Sequence, residues 1–221
     1  MPVDTPETVL LLHMEGADAS TTFTDESGKT VTANGNAQID TAQSKFGGSA
    51  MLCDGTEDWI TAPDSADFYF NGNFTVDFWI RCNSTVTTRW CGQWTDGNNG
   101  WRLYNVDATD MRFDIYSSGS LIVNITAAHG MSVDTWYHIA LVKNGTTYTI
   151  YKNGTSIGST TDADVMANYT GTFGIGYDGN SSTSPLNGWI DEFRVSKGIA
   201  RWTANFTPPS APYGPPSNFF F

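Results

Sequence analysis

Hydrophobic and polar positions alternate most clearly between residues 74 and 82 of this chain. Side chains two positions apart in a β-strand point to the same face of a sheet. One face of this predicted strand carries Phe74, Val76, Phe78 and Ile80, and the other carries Thr75, Asp77, Trp79 and Arg81. We therefore expect the first set to lie in a core and the second to line an exposed or concave sheet.

Similar short apolar runs recur along the whole chain, and turn residues separate them. Asn144-Gly145 and Asn153-Gly154 are strong hairpin signals, because such turns need residues that tolerate positive φ. The predicted strands cover residues 8–15, 37–41, 49–54, 59–62, 74–82, 89–94, 100–106, 111–116, 121–127, 135–143, 147–152, 155–159, 173–177 and 188–195. Roughly twelve to fourteen short strands with little helix predict an all-β fold, a two-sheet antiparallel β-sandwich.

The last predicted strand contains an acidic residue in an apolar pattern. Trp189, Asp191, Phe193 and Val195 alternate, so a regular strand would place all four on one buried face. An ionised carboxylate among apolar neighbours is costly or shifts its pKa. Asp191 therefore needs an arginine, backbone N–H donors, a bulge that turns it outward, or a metal ion. Among metals, a hard cation such as Ca²⁺ suits carboxylate and carbonyl oxygens.

Composition narrows the class of protein. The 221 residues fit one sandwich domain, and a net charge of −12 argues against a nucleic-acid partner. The apolar run at residues 9–12 is too short to span a bilayer, and no basic segment precedes it as in a secretory signal. The three cysteines cannot all pair within one chain. A bridge between Cys82 and Cys91 is possible across a predicted hairpin, but we favour free, partly buried thiols.

We do not expect an enzyme. A retaining glycosidase needs two carboxylates about 5–5.5 Å apart on one face. Asp191 and Glu192 are adjacent and point to opposite faces, while Asp162 and Asp164 fall in a polar loop. The chain contains no Gly-x-Ser-x-Gly elbow, P-loop or HExxH motif.

Sugar binding fits one hairpin better. Trp94 and Trp101 flank a polar loop that contains Asp96, Asn98 and Asn99. Aromatic faces can stack on sugar rings, and Asn and Asp side chains can hydrogen-bond hydroxyl groups. These five residues are the candidate carbohydrate-binding site. The alternative is that the tryptophans belong to the core, since Trp is highly buried on average.

Four stretches carry a family resemblance, and together they span nearly the whole chain. They are residues 10–13 with 23–25, residues 46–50, residues 136–142 with 151–154, and residues 189–202 with Phe206-Thr207-Pro208-Pro209. The last resembles the closing strand and exit turn of laminin-G-like, concanavalin A-type jelly rolls. The variant with an Ala-Arg-aromatic turn and a Pro-Pro exit is similar to those of bacteriophage structural and tail-associated proteins.

The resemblance implies a function and a site. It implies a jelly-roll domain over residues 1–207 and a non-enzymatic accessory structural or adhesion protein at the virion surface. The implied partners are capsid or tail proteins, a second copy of the chain, and a host-surface glycan. A structural Ca²⁺ where the first and last strands meet is common in this fold, which makes Asp18, Asp25 and Asp191 candidate ligands. The alternative function is a carbohydrate-binding module of a bacterial surface or secreted protein.

A separate tail is predicted over residues 208–221. It holds five of the nine prolines and ends in Phe219, Phe220 and Phe221. Proline-rich segments are extended and build no core, and three phenylalanines left in water would promote aggregation. We therefore expect these phenylalanines to dock on the domain itself, on a second copy or on another protein.

Overall fold

The computed structural model describes residues 7–164, 166–179 and 184–214. Within those ranges the chain forms fifteen strands and one 3₁₀ turn, Ala66–Phe68. The strands are β1 (Thr8–Leu12), β2 (Thr32–Asn34), β3 (Gln38–Asp40), β4 (Ala50–Asp54), β5 (Trp59–Ala62), β6 (Phe74–Cys82), β7 (Thr88–Asp96), β8 (Asn99–Asn105), β9 (Asp110–Ser117), β10 (Ser120–Ala128), β11 (Trp136–Asn144), β12 (Thr147–Lys152), β13 (Thr155–Thr161), β14 (Phe173–Ile175) and β15 (Asn187–Lys197).

The strands build two antiparallel sheets, which confirms the predicted sandwich. The eight-stranded sheet has the order β13-β12-β11-β6-β15-β4-β3, and β1 also pairs with β15. The seven-stranded sheet has the order β10-β9-β8-β7-β14-β5-β2. The short strand β2 is the one element that the sequence pattern did not predict. No helix in the described ranges is long and apolar enough to cross a membrane.

The core lies between the sheets. Phe74, Val76, Phe78 and Ile80 of β6 are all fully buried there, as their alternation predicted. Aromatic rings connect the layers; the centroids of Phe78 in β6 and Trp90 in β7, for example, lie 6.1 Å apart. Cys53, Cys82 and Cys91 are buried and unbridged, which confirms the preference for free thiols.

Strand β15 is the centre of the eight-stranded sheet. It pairs with β6 along one edge and with β4 and then β1 along the other. Leu10 lies opposite Val195, and Leu12 lies opposite Phe193. The predicted meeting of the first and last strands is therefore confirmed.

A β-bulge interrupts β15 between Asp191 and Arg194, and Glu192 there has a φ of 53°. A bulge adds one residue to one strand and so reverses which side chains face inward. Ile190 lies in the core before the bulge, and Phe193 and Val195 lie in the core after it.

The bulge corrects one prediction. Trp189, Asp191, Phe193 and Val195 do not share a face, because the first two precede the bulge and the other two follow it. Trp189 is only half-buried, and its Nε1 donates to Asp40 Oδ2 at 2.6 Å. A strict two-residue period holds only while the pairing register is regular.

Most of the polar side of β6 is also buried, contrary to the prediction of an exposed face, and only Arg81 is half-buried. Thr75, Asp77 and Trp79 are at most 5% exposed. The segment after β15 crosses over them. Its Trp202 and Phe206 stack with centroids 3.9 Å apart and pack against Ala140, Val142 and Tyr151.

An ion pair lies under this crossing segment. Arg194 donates to both carboxylate oxygens of Asp77 at 3.1 and 2.9 Å, and both side chains are almost fully buried. Burial opposes ionisation of Asp77, but the adjacent Arg194 guanidinium holds the pKa of that carboxyl below its usual value. Tyr213 covers the pair: its ring centroid is 3.8 Å from the guanidinium carbon, and its hydroxyl is 3.1 Å from His138 Nε2.

We expect Arg194→Met to lower the free energy of unfolding by about 3–5 kcal/mol, because it leaves the Asp77 carboxylate without its guanidinium partner inside the protein. Chemical denaturation followed by tryptophan fluorescence measures the loss. Asp134→Asn is the control, since it removes the 62% exposed partner of Arg81 and should change stability by less than about 1 kcal/mol. An Arg194→Met variant as stable as the control would contradict the structural role of the buried pair.

Candidate functional site

The predicted sugar-binding hairpin joins β7 to β8, and the structure separates its tryptophans from its polar residues. Asp96 and Asn98 are exposed, and Asp96 Oδ1 accepts from the Asn98 backbone N–H at 2.8 Å and from Asn99 Nδ2 at 3.0 Å. Trp101 is fully buried in the core, against Phe113 and Phe173.

Strand alternation explains this placement of the two tryptophans. Gly100 and Arg102 face outward, so Trp101 between them must face inward. Trp94 turns to the outer face of the seven-stranded sheet, where Gly100 leaves room for its ring, yet it is only 4% exposed. The structure therefore does not bring Trp94 and Trp101 together as a stacking platform beside the loop.

That outer face carries a different cluster, which the sequence analysis missed. Side chains from β7, β8, β9 and β10 form it, together with one residue from the loop after β14. We call it the arginine–aromatic face; its members are Arg89, Trp94, Arg102, Tyr104, Arg112, Asp114, Tyr116, Asn124 and Asp178. The register brings them together: Arg102 lies opposite Asp114, which lies opposite Asn124.

Asp114 is the hub of this face and is fully buried. Its Oδ1 accepts from Arg112 Nε at 2.7 Å and from Asn124 Nδ2 at 2.8 Å. Its Oδ2 accepts from the Tyr104 hydroxyl at 3.0 Å and from Arg102 Nη2 at 3.2 Å. One carboxylate thus fixes four side chains from three strands, and burial raises the pKa of Tyr104 to about 12.

Aromatic rings surround Arg102. Its guanidinium carbon is 4.5 Å from the Tyr104 centroid, 5.6 Å from that of Tyr116 and 5.8 Å from that of Trp94. A guanidinium within about 6 Å of a ring face is attracted by the ring quadrupole. Together with the bonds to Asp114, these contacts hold the face in one arrangement.

Two glycines allow a loop to lie on the same face. Gly92 and Gly174 are neighbours in the sheet, and a Cβ on Gly92 would come within 2.6 Å of the Asp178 carbonyl oxygen. The loop after β14 therefore approaches the backbone closely and buries Asp178, which pairs with Arg89 at 2.5 Å. Tyr177 of this loop stacks on Trp59, with centroids 4.8 Å apart, and both rings are half-buried.

The three aspartates predicted as calcium ligands belong to separate hydrogen-bond networks. Asp18 accepts from the Thr41 backbone N–H, and Asp25 accepts from the Leu11 backbone N–H at 2.8 Å. Asp191 Oδ2 accepts from the N–H groups of Lys45 and Phe46 at 2.7 and 3.0 Å. Of the alternatives considered for Asp191, the structure thus provides backbone donors next to a bulge.

The described residues contain no group of three or more His, Cys, Asp or Glu side chains that could hold a metal ion. The predicted ligand set of Asp18, Asp25 and Asp191 is therefore not found, and a structural calcium ion stays a prediction without assigned ligands. Asp191 Oδ1 is nevertheless buried without a hydrogen-bond partner. The predicted docking residues Phe219, Phe220 and Phe221 lie outside the described residues.

Comparisons with known proteins agree with this architecture. The family model described as the concanavalin A-like lectin/glucanases superfamily matches residues 54–201, which is well over half of the chain. No curated protein sequence matches the chain.

Three solved structures illustrate the shared fold. Domain 4 of AbnA, a GH43 extracellular arabinanase from Geobacillus stearothermophilus in complex with arabinotriose, is 19% identical with a TM-score of 0.67, over 88% of this chain and 94% of that one. The botulinum neurotoxin serotype D/C VPI 5993 binding domain is 17% identical with a TM-score of 0.68, over 87% and 49%. The binding domain of botulinum neurotoxin DC in complex with SialylT is 16% identical with a TM-score of 0.64, over 88% and 49%. The chain spans about half the length of these toxin domains, and at such identities the likeness concerns the fold alone.

The buried carboxyl of Asp191 generates a pH prediction. Burial raises its pKa to about 7, although the Phe46 and Lys45 N–H groups act in the opposite direction. The folded state therefore retains a proton that the unfolded state loses near pH 4, so stability falls as pH rises from about 4 to about 7, by up to about 1.4 kcal/mol per pH unit. Asp191→Asn should remove this part of the pH dependence, which urea unfolding at a series of pH values measures.

The Asp134→Asn variant, which changes a 62% exposed carboxylate outside the predicted calcium ligands, controls for the loss of a surface charge. If the free energies of unfolding of wild type and Asp191→Asn differ by the same amount at pH 4 and pH 7, the Asp191 carboxyl does not retain a proton in the folded state. Repeating the series with Ca²⁺ and with a chelator tests the calcium prediction, since an ion bound at Asp191 would stabilise the wild type but not Asp191→Asn.

Proposed function

The chain belongs to the concanavalin A-like lectin/glucanase superfamily, and from this we propose that it is a non-enzymatic, lectin-like module that binds a glycan on its arginine–aromatic face. The observation that carries the proposal is the buried Asp114, which fixes Arg102, Tyr104, Arg112 and Asn124 in one plane of a sheet. Binding groups on rigid strands are held more precisely than groups on loops.

The chemistry of this face suits a sugar. Arg112 and Asn124 offer N–H donors at a surface that solvent reaches, and the Asn124 carbonyl oxygen is an acceptor. The half-buried Tyr116 lies on the same face of β9. Further along the sheet, the stacked Trp59 and Tyr177 add a second aromatic surface. A few fixed polar groups among aromatic side chains are typical of small-molecule sites.

The carboxylates of this face support binding rather than hydrolysis. Asp114 and Asp178 are both fully buried, and each pairs with an arginine, as in Arg102–Asp114 and Arg89–Asp178. Glycoside hydrolysis needs one protonated acid and one free carboxylate at the scissile bond. Two aspartates neutralised by guanidinium groups offer neither.

Two structural relatives favour a glycan as the ligand class. The AbnA domain binds arabinotriose in its solved structure, and a botulinum neurotoxin binding domain was solved with SialylT. These ligands belong to those proteins. Their fold is the one this chain shares, which makes a saccharide the first ligand class to test.

We further propose that the module acts on a virus particle, as an accessory structural or adhesion protein at the virion surface. The support is the resemblance of residues 189–209 to the closing strand and exit turn of bacteriophage structural and tail-associated proteins. In this role Phe219, Phe220 and Phe221 dock on a second copy or on a neighbouring capsid or tail protein. A carbohydrate-binding module of a bacterial surface or secreted protein is the alternative, and it uses the same sugar-binding face.

A glycan array with the full chain tests the sugar-binding face. We expect Arg102→Met to lower the signal of every bound glycan at least tenfold, because it removes a donor to Asp114 and the centre of the aromatic stack. Asp134→Asn, on the other side of the sandwich, is the control. Equal binding by wild type and Arg102→Met would contradict the proposed face, and a loss caused only by Asp96→Ala would move the site to the β7–β8 loop.

Removal of residues 217–221 tests the docking role. We expect the full chain to self-associate through its apolar terminus, because three phenylalanines left in water would form an exposed apolar patch. The shortened chain lacks these phenylalanines and should be monomeric. Sedimentation velocity over a range of concentrations measures both, and Tyr213, which is buried in the domain, is kept in the shortened chain. If the two chains sediment identically as monomers, docking on a second copy is wrong.

A further inference from the structure

Arg112 differs from the other two arginines of the arginine–aromatic face. Its side chain is 25% exposed, compared with 17% for Arg102 and 12% for Arg89. Its Nε donates to Asp114 Oδ1 at 2.7 Å, which anchors the guanidinium at one edge. Within the described part of the chain, the terminal nitrogens of Arg112 have no hydrogen-bond acceptor. These two nitrogens carry four N–H donors, and a guanidinium holds its donors in a planar fork that suits a carboxylate.

Arginines are concentrated on this face. It contains three of them beside two buried carboxylates, Asp114 and Asp178, and Asp110 lies two residues before Arg112 on the same side of β9. The whole chain carries −12, so a face with three arginines is unusual for this protein. An overall acidic protein repels a polyanion such as a nucleic acid, but one guanidinium fork can bind a single carboxylate.

Exposed polar groups lie next to the fork. Arg112 is opposite Thr126 in the sheet, and Asn124 is two residues from Thr126 on the same face. The Thr126 hydroxyl donates to Asn124 Oδ1 at 3.2 Å, while Asn124 Nδ2 donates to Asp114. The register thus aligns a cation, an amide and a hydroxyl group on the outer face of β9 and β10.

We propose that Arg112 binds the carboxylate of an acidic sugar, a uronate or a sialate, and that Asn124 and Thr126 contact the hydroxyl groups of the same residue. This inference rests on the proposed glycan-binding function and names the class of ligand. It makes Arg112 the specificity-determining residue of the face. A neutral sugar can occupy the same face through hydrogen bonds, but it leaves the fork without a counter-charge.

Isothermal titration with defined saccharides tests the proposal. The probes are trigalacturonate, 3′-sialyllactose, the methyl esters of both, and lactose. We expect the full chain to bind at least one acid about 10- to 100-fold more tightly than its methyl ester, the range expected of a charge-assisted bidentate hydrogen bond. The acid that binds identifies the source of the carboxylate as a uronate or a sialate.

Two substitutions separate charge from geometry. Arg112→Gln should bind acid and ester equally, and Arg112→Lys should keep only part of the preference, because an ammonium group lacks the planar fork. Thermal unfolding of each variant shows whether the domain is intact, and the Lys variant keeps the test valid if the Gln variant fails to fold.

The outcomes distinguish this inference from the proposed function. Equal binding of acid, ester and lactose by the wild type, unchanged in Arg112→Gln, overturns the acidic-sugar inference and leaves glycan binding intact. No binding of any probe, together with a glycan array that shows no signal, overturns both. A preference for acids that survives in Arg112→Gln places the carboxylate elsewhere and overturns the role of Arg112.

Discussion

Pairing of a buried aspartate with arginine organises the outer face of each sheet. Asp77 on the eight-stranded sheet pairs with Arg194, and Asp114 on the seven-stranded sheet pairs with Arg102 and Arg112. All are carboxylates that a β-strand places outside the core, where burial would be costly without a cation. Each buried ion pair therefore holds the side chains that contact it in one arrangement.

The outer faces of the two sheets differ in whether a later segment of the chain covers them. The segment after β15 closes over Asp77 and Arg194, with Trp202 and Phe206 stacked above the sheet and Tyr213 on the guanidinium. That face is sealed and contributes to stability. In the described part of the chain no such segment covers Arg112 and Asn124, so their polar groups stay accessible there. The difference between a structural ion pair and a binding surface is whether the chain returns across it.

Strand β15 links the core to both the opening and the exit segments of the chain. Its bulge at Glu192 points Asp191 at the backbone N–H groups of Lys45 and Phe46, and returns Phe193 to the core. The Glu192 carboxylate accepts from His13 and from the Tyr213 backbone N–H, so it joins the first strand to the exit segment. One inserted residue thus allows a single strand to serve the core, the opening of the chain and its end.

The sequence by itself determined the fold class, nearly every strand, the core face of β6 and the meeting of the first and last strands. These follow from local periodicity and turn chemistry, which act over a few residues. The sequence could not place Trp101 inside and Trp94 outside the sandwich, since that depended on the strand's exact register. It also missed the bulge in β15 and the burial of Asp77.

Only the tertiary structure decided where the candidate site lies. Arg102, Asp114 and Asn124 are separated by ten or more positions in the chain, and each looks like an ordinary polar strand residue. Cross-strand register brings them onto one carboxylate, and two glycines in neighbouring strands admit the loop that carries Asp178. Contacts between distant segments set the strand register and the position of this loop on the sheet, and no local sequence pattern encodes either.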